Sequence, residues 1–464
     1  MKCRRNGAKR SQVQTIVDPV LAYTLDLQRD KPVPGIVRPN SLRQLQTVLN
    51  PDSHYPTPIR PMGANSSSTR CNSADGGTVI DMTGLKSISV VRDGAVTVEA
   101  GVTLQALAKH LALRGLEIPG CVDLVRRTVG GAVAGGSLGA THDGGPASPF
   151  SHVVAMSIVK PDGTLKHVTR EQPHLLNAYR LSFGVLGVIY DVTFRVRPIA
   201  RFVVKQSKMD VEKFSRVANA LANQKVGLKF FYLPFKSTVY AQLRRTPTDD
   251  TPVRSLPWMI KDVGESAIIP ALCDKLNRIV SIASVRYGLA DGLHGIGHAV
   301  LSNSLTGSGS SVAEHQAADS RFDPPTLEYS TWCFPAGQIG EVLAAYRAFA
   351  TEYYRKHRYR CDMPVVGYRL PMNRAALLAS NFDGQMFALR FVSSPQPLWE
   401  DFTMDLAAFA SEWGGVPIFS QTRAAEQRQA ELAFGSRLEF FRKFRRRLDR
   451  DGRLLNPYLA QYFI

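Results

Sequence analysis

Apolar positions along the chain fall into short runs whose spacing switches between helical and strand-like. Ser41 followed by Leu42, Leu45 and Leu49 predicts an N-capped amphipathic helix: the hydroxyl accepts from a first-turn amide and the leucines share one face. Thr78–Met82 and Ala95–Glu99 are β-rich runs bounded by Gly76–Gly77 and Asp93–Gly94, and predict strands. Thr103 predicts the cap of a second helix, with Leu104, Leu107 and Leu111 inward and Gly115 at its end. The glycine-rich stretch Gly130–Gly145 follows. After it, Val153–Val159 and Val188–Val196 read as strands, with Gln172–Phe183 helical between them.

Past residue 201 the signals lengthen. Phe230–Leu233, Glu328–Phe334 and Val365–Leu370 predict strands, and Val342–Lys356 a helix. The Ser/Gly-rich segment Ser302–Ser311 predicts a mobile surface loop. Leu438–Leu448 is a basic amphipathic helix, followed by a turn at Asp449–Arg453. No repeat of solenoid or propeller length is present.

A chain of 464 residues suggests two or three domains, each large enough for its own core. Hydrophobic residues make up 44% and charged residues 21%, which excludes a disordered chain or a disulfide scaffold. The net charge of +18 favours anionic partners. No helix-turn-helix, zinc-finger or RNA-recognition signature accompanies it, so nucleic acid is not an expected partner. The six cysteines are scattered, without metal-ligand spacing, which points to no metal and to a reducing, cytoplasmic compartment. No window is apolar enough to span a membrane. The Arg442–Arg447 run reads as a solvated helix face, with peripheral membrane contact as the alternative.

Three segments share one physical logic: Arg60–Ser68, Thr128–Gly139 and Ser182–Ile189. Each mixes glycine with small or hydroxyl residues beside a strand-like run. Successive backbone N–H groups in such loops can cradle an anion such as pyrophosphate. One loop of this kind is usually just a turn; three in order carry more weight. They are not a Rossmann fingerprint, since no G-x-x-G opening a helix follows Gly63, and no P-loop G-K-[ST] occurs.

With Pro61–Ser68, Val79–Met82, Val98–Gly101, Val129–Gly139, Phe183–Ile189 and Asp451–Tyr458 in this order, the sequence resembles the PCMH-type FAD-binding flavoproteins of the vanillyl-alcohol oxidase superfamily. It is most similar to the aldonolactone and alditol oxidase branch, with a second likeness to decaprenylphosphoryl-ribose oxidase. The resemblance implies an α+β, two-domain fold. Residues 1–200 would bind FAD, 201–436 would form a substrate or cap domain, and 437–464 would return to the FAD domain. It further implies pyrophosphate contacts from the backbone amides of Gly63, Ala64, Asn65 and Ser66, with Pro61, Met62 and Ser67 also cofactor-binding. Gly130, Gly131, Ala134, Ser137 and Gly139 would line the flavin and Val188 and Ile189 would hold the adenine half, with Gly101, Pro119, Val129, Phe150, Gly187 and Asn456 as further cofactor-binding residues.

The chain departs from the family pattern where chemistry is expected. The residue that many relatives link to the flavin as His is here Asn65, and Arg126-Arg127-Thr128 stands where a second, Cys-based link would be. Cys121 is too early for that link and reads as an ordinary thiol. The flavin is therefore expected to be non-covalent. The Glu-x-Arg of sugar-oxidising relatives becomes Gly367-Tyr368-Arg369, and their flavin-side Lys aligns with Gln421. Arg369 is the expected cation for a developing alkoxide, with Gln421 beside it. Tyr368, His142 or His152 are candidates for the proton, against structural roles for both histidines and for Arg369. The implied function is oxidation of a C–H next to a hydroxyl in a polyol, sugar lactone or lipid-linked sugar, with oxygen or a quinone as acceptor. A tailoring oxidase of a specialised metabolite, and a flavin-binding protein without turnover, are the alternatives.

Overall fold

The computed structural model describes residues 35–122, 126–247, 268–304, 307–310 and 327–464. The predicted helices and strands of the first half form where the pattern places them. Ser41 accepts from the Gln44 amide and starts the helix Leu42–Leu49; Thr103 accepts from Ala106 and starts Leu104–Ala112. Gln172–Phe183 contributes a shorter helix, Pro173–Tyr179. Three parallel strands, Ile36–Val37, Thr78–Asp81 and Ile59–Met62, form one small sheet. Ala95–Glu99, Val188–Arg195, Val153–Val159 and Leu165–Thr169 form an antiparallel second sheet in that order. The side chain of Cys121 and all of Cys3 lie outside the described parts.

All strands of the third sheet lie between residues 201 and 417. It is antiparallel and eight-stranded, with Gly227–Leu233, Val365–Leu370, Met386–Ser393 and Glu328–Pro335 at its centre. Side chains alternate across a strand, so the register sorts this sheet into two faces. Phe230, Phe387, Phe391 and Trp332 occupy the outer face, in one core with the helices Val211–Ala220, Ile339–His357 and Trp399–Glu412. Lys229, Tyr368, Arg390, Thr331 and Tyr329 occupy the inner face.

One expectation is corrected here. Within Ser302–Ser311, Ser302–Ser304 end a helix, and Gly307–Ser310 is an edge strand paired antiparallel with Arg201–Val204. Backbone pairing requires no side-chain pattern, so a Ser/Gly run can satisfy a sheet edge as well as a loop.

The helices Ile269–Ile279 and Ala283–Ser304 form a hairpin beside the inner face, where Cys273 and Ala290 pack with Met363 and Val392. Beneath it His294 is buried, its Nε2 3.6 Å from Cys273 Sγ. Burial pushes its pKa down from 6.5 to about 4. The unfolded chain therefore binds a proton that the folded chain refuses between these values. The resulting stability is full above pH 6.5 and is lost as pH falls toward 4. We expect a loss on the order of 3 kcal/mol across that window in denaturant titrations. In His294→Asn the slope should flatten; an unchanged slope would show that other groups carry it.

Candidate active site

The strand Ile59–Met62 delivers a tight loop at Gly63. A Cβ on Gly63 would lie 2.0 Å from Thr128 Oγ1, so a larger residue cannot enter without displacing Thr128. Thr128 is itself fixed: it caps the helix Val129–Gly135 by accepting from the Gly131 amide at 3.3 Å. Asn65 sits at φ +50°, a left-handed conformation that asparagine tolerates better than most residues, and its Oδ1 accepts from Asn72 at 2.5 Å. Ser67 Oγ and Ser68 N–H both donate to the Ser420 carbonyl, at 2.7 and 3.2 Å, tying the loop to a distant segment.

These elements wall a cleft of about 780 Å³, partly open to solvent. Pro61–Ser67, Gly130, Gly131, Ala134 and Gly187–Ile189 line it, so residues from all three glycine segments meet in one place. The remaining expected cofactor residues lie elsewhere. Gly101 is a packing glycine, since a Cβ there would stand 1.9 Å from the Met82 carbonyl. Val129 and Phe150 are core residues, and Pro119 is half-buried away from the walls. Ser137 accepts from Arg127 at 3.3 Å, and Gly139 pairs with Val122 in a two-residue strand. Asn456 is buried at a helix start, accepting from Leu459 and donating to the Arg70 and Ser73 carbonyls at 2.8 and 2.7 Å. Its local role is to fasten the terminal helix beside the loop.

Two cleft-lining arginines escaped the sequence reading. Arg60 is 1% exposed and donates to the carbonyls of Cys71, Phe183, Gly184 and Leu454. Arg127 is 4% exposed and donates to Ser66 Oγ at 3.0 Å, to Ser137 Oγ and to the Gly136 carbonyl. Burial pushes Arg60 down to about 10 and lowers Arg127 as well. Among the described residues neither forms an ion pair with a carboxylate. Arg60 has the buried Asp449 carboxylate in its surroundings, beyond ion-pair distance, whereas the hydrogen-bond partners of Arg127 are uncharged; a buried cation of that kind is costly unless an anion joins it. A glycine cradle with two buried guanidiniums fits a dianionic dinucleotide.

The inner sheet face meets this cleft. Tyr329 Oη donates to the Ser66 carbonyl at 2.6 Å. Gln421 is fully buried between the two parts: Nε2 donates to the Gly136 carbonyl, and Oε1 accepts from Arg390, both at 3.3 Å. The Arg390 guanidinium lies 5.3 Å from the Tyr329 ring centroid and 5.9 Å from that of Tyr368. Lys229 Nζ lies 5.5 Å from the Tyr368 ring. The structure thus brings Gln421 and Tyr368 together with Arg390 and Arg127. The signal for Arg390 was present: it is a lone arginine in Met386–Ser393, a strand whose eight residues are all buried.

Arg369 is corrected. It points to the outer face and donates to the carbonyls of Leu221, Ala222 and Gln224 at 2.5, 3.2 and 3.1 Å. These carbonyls lie just past the helix Val211–Ala220, where a cation is favourable, and each also accepts a second bond, from Gln224 N–H, Gln385 Nε2 and Val226 N–H respectively. Alternation decides this: the residue next to Tyr368 must face the other way. Arg369→Ala should cost about 2–4 kcal/mol in denaturant unfolding, since several charge-assisted bonds are lost, while the flavin potential stays unchanged. A shifted potential with unchanged stability would return Arg369 to the site.

His142 and His152 also lie off the cleft. His142 stacks on Phe202 at 5.8 Å, in a recess with Glu117, Arg197 and Arg244, and burial lowers its pKa. His152 Nε2 is 3.0 Å from the Pro146 carbonyl, and burial lowers it too.

Comparison with known proteins agrees with this geometry. A family model described as an FAD binding domain matches residues 33–169. L-gulono-1,4-lactone dehydrogenase of Mycobacterium tuberculosis is 27% identical over 256 residues, covering 54% of this chain and 58% of the relative. Mitochondrial L-galactono-1,4-lactone dehydrogenase of Arabidopsis thaliana is 24% identical over 205 residues, covering 44% and 33%. These matches therefore span less than two thirds of either relative. The crystal structure of cholesterol oxidase from B. sterolicum is similar with a TM-score of 0.73 at 15% identity, covering 92% of this chain and 94% of that one. The fold is the α+β, PCMH-type FAD fold. Residues 33–169 are an FAD binding domain by this match, and the cofactor is FAD. Its curated relatives are lactone dehydrogenases and oxidases. Among the described residues no helix is long and apolar enough to cross a membrane, and no cluster suits a metal ion.

Proposed function

We propose that this flavoprotein oxidises a C–H bond next to a hydroxyl, in a polyol, sugar lactone or lipid-linked sugar. The observation that carries this reading is the group of Arg127, Arg390, Gln421 and Tyr368 where the inner sheet face meets the glycine-walled cleft. When bound, FAD supplies the two-electron acceptor for that bond. The loop Gly63–Ser67 would hold the dinucleotide by backbone N–H groups, and Gly130, Gly131 and Ala134 would leave room beside it, with Arg60 and Arg127 offsetting its charge. Arg390 holds the substrate oxygen as negative charge grows there, a role that the sequence reading gave to Arg369. Gln421 orients Arg390 through its Oε1 and brings no charge of its own. The Tyr368 hydroxyl, on the same face as Lys229, is placed to relay the hydroxyl proton. We also propose the division into 1–200, 201–436 and 437–464.

Anaerobic bleaching of the flavin against a panel of polyols, sugar lactones and unrelated alcohols tests the reading. Bleaching by none of the first two classes would remove it.

The flavin is proposed to be non-covalent. Asn65 is the residue at the loop position, and an amide has no nucleophile for the flavin methyl group, unlike imidazole or thiolate. Acid precipitation should leave the yellow colour in the supernatant. Flavin fluorescence on the denatured protein band would contradict this.

A further inference from the structure

The hairpin of Ile269–Ile279 and Ala283–Ser304 turns an apolar surface outward. Ile279 and Ile282, at its tip, are 79% and 63% exposed. Along the second helix Val285, Leu289, Ile296 and Val300 follow at helical spacing and are all exposed. None of that helix's charged side chains up to Val300 is fully exposed: Arg286 lies against the Tyr287 ring, and Asp291 pairs with Arg360 at 2.8 Å. A water-facing helix normally turns a charged face outward, and a helix apolar all round is normally covered. Contiguous exposed apolar surface of this kind marks a contact site.

We propose that this hairpin docks on the surface of an anionic lipid bilayer, inserting Ile279 and Ile282 first. Charge chooses between a bilayer and a second copy of the chain. At a net charge of +18 two copies repel, whereas an anionic surface attracts. The rim of the apolar surface is basic as well. Lys275 and Arg278 are exposed on the first helix, Arg286 flanks the second, and the nearby Asp274 is held by Arg278 at 2.8 Å. Shape points the same way, because a tip of two projecting isoleucines suits shallow insertion between headgroups. The hairpin's inner side packs beside Tyr329, so a docked bilayer lies next to the proposed substrate face. Docking itself does not depend on the catalytic reading.

Vesicle co-sedimentation of the FAD-loaded protein tests this. Vesicles of phosphatidylcholine with phosphatidylglycerol should bind it, phosphatidylcholine alone should bind it more weakly, and added salt should weaken binding. Ile279→Ser/Ile282→Ser should lower binding at least about tenfold, because burying one large apolar side chain is already worth such a factor. Leu289→Ser/Ile296→Ser should act in the same direction. All four side chains are exposed, so FAD content and unfolding midpoint should match the parent. Equal binding by parent and variants would place the contact on another basic surface and overturn the proposal. So would an absence of binding, or a concentration-dependent dimer that the same substitutions dissolve.

Discussion

Gly63→Val is expected to give a colourless protein that does not take up FAD. The wild-type loop leaves no room for even one carbon, since a Cβ would meet Thr128 Oγ1 at 2.0 Å and Thr128 Cβ and Cγ2 at 3.1 Å. Thr128 is 1% exposed and caps the helix behind it, so relieving the clash costs that cap, typically about 1 kcal/mol, and shifts the cleft wall. The valine methyl groups would also occupy space where the loop amides face the cleft. The unfolding transition of the apoprotein should move by no more than the lost cap, about 1 kcal/mol. The ratio of flavin to protein absorbance, before and after incubation with excess FAD, measures the effect. Full reconstitution would show that the cofactor does not approach this loop and would displace the assignment of Pro61–Ser67.

Arg127→Met is expected to lower the flavin midpoint potential and to slow flavin reduction by roughly 10²-fold, the scale seen when one charge-stabilising donor is removed. The hydrogen bonds of Arg127 go to uncharged oxygens of Ser66, Gly136 and Ser137, and burial lowers its pKa, so the isolated protein bears the cost of desolvating it. Such a cation is retained for an anion. Two-electron reduction would add negative charge to the flavin held in this cleft, and removing a cation from the cleft wall disfavours that state. Methionine fills the space of the stem without charge. The apoprotein should therefore be no less stable, and replacing a buried charge by an apolar side chain often stabilises a protein. A redox titration reads the potential without any substrate. If the variant instead loses stability at an unchanged potential, Arg127 is a strut between the loop and the helix Val129–Gly135. Arg127→Lys should recover part of the potential but not the fork of hydrogen bonds.

Much of this protein was legible in its sequence. The caps at Ser41 and Thr103, the strands Ala95–Glu99 and Val153–Val159, and the three glycine segments are local facts. A hydroxyl before a leucine stripe starts a helix in almost any context, and glycine runs beside strands keep the backbone open to an anion. The convergence of those segments into one cleft was expected from their order and is found in the structure. What tertiary structure alone decided is which charges gather where the eight-stranded sheet meets that cleft. Tyr368 and Arg369 are neighbours in sequence, yet alternation along one strand places them on opposite faces, one beside Lys229 and Arg390 and the other onto carbonyls past a helix end. Arg127 and Arg390 are 263 positions apart and come within reach of Gln421 and Gly136 only because the eight-stranded sheet packs against the glycine segments. Local pattern sets the conformation of a segment because its causes act over a few residues. The direction of a charged side chain depends on sheet register and on packing between segments hundreds of residues apart, which no local pattern contains.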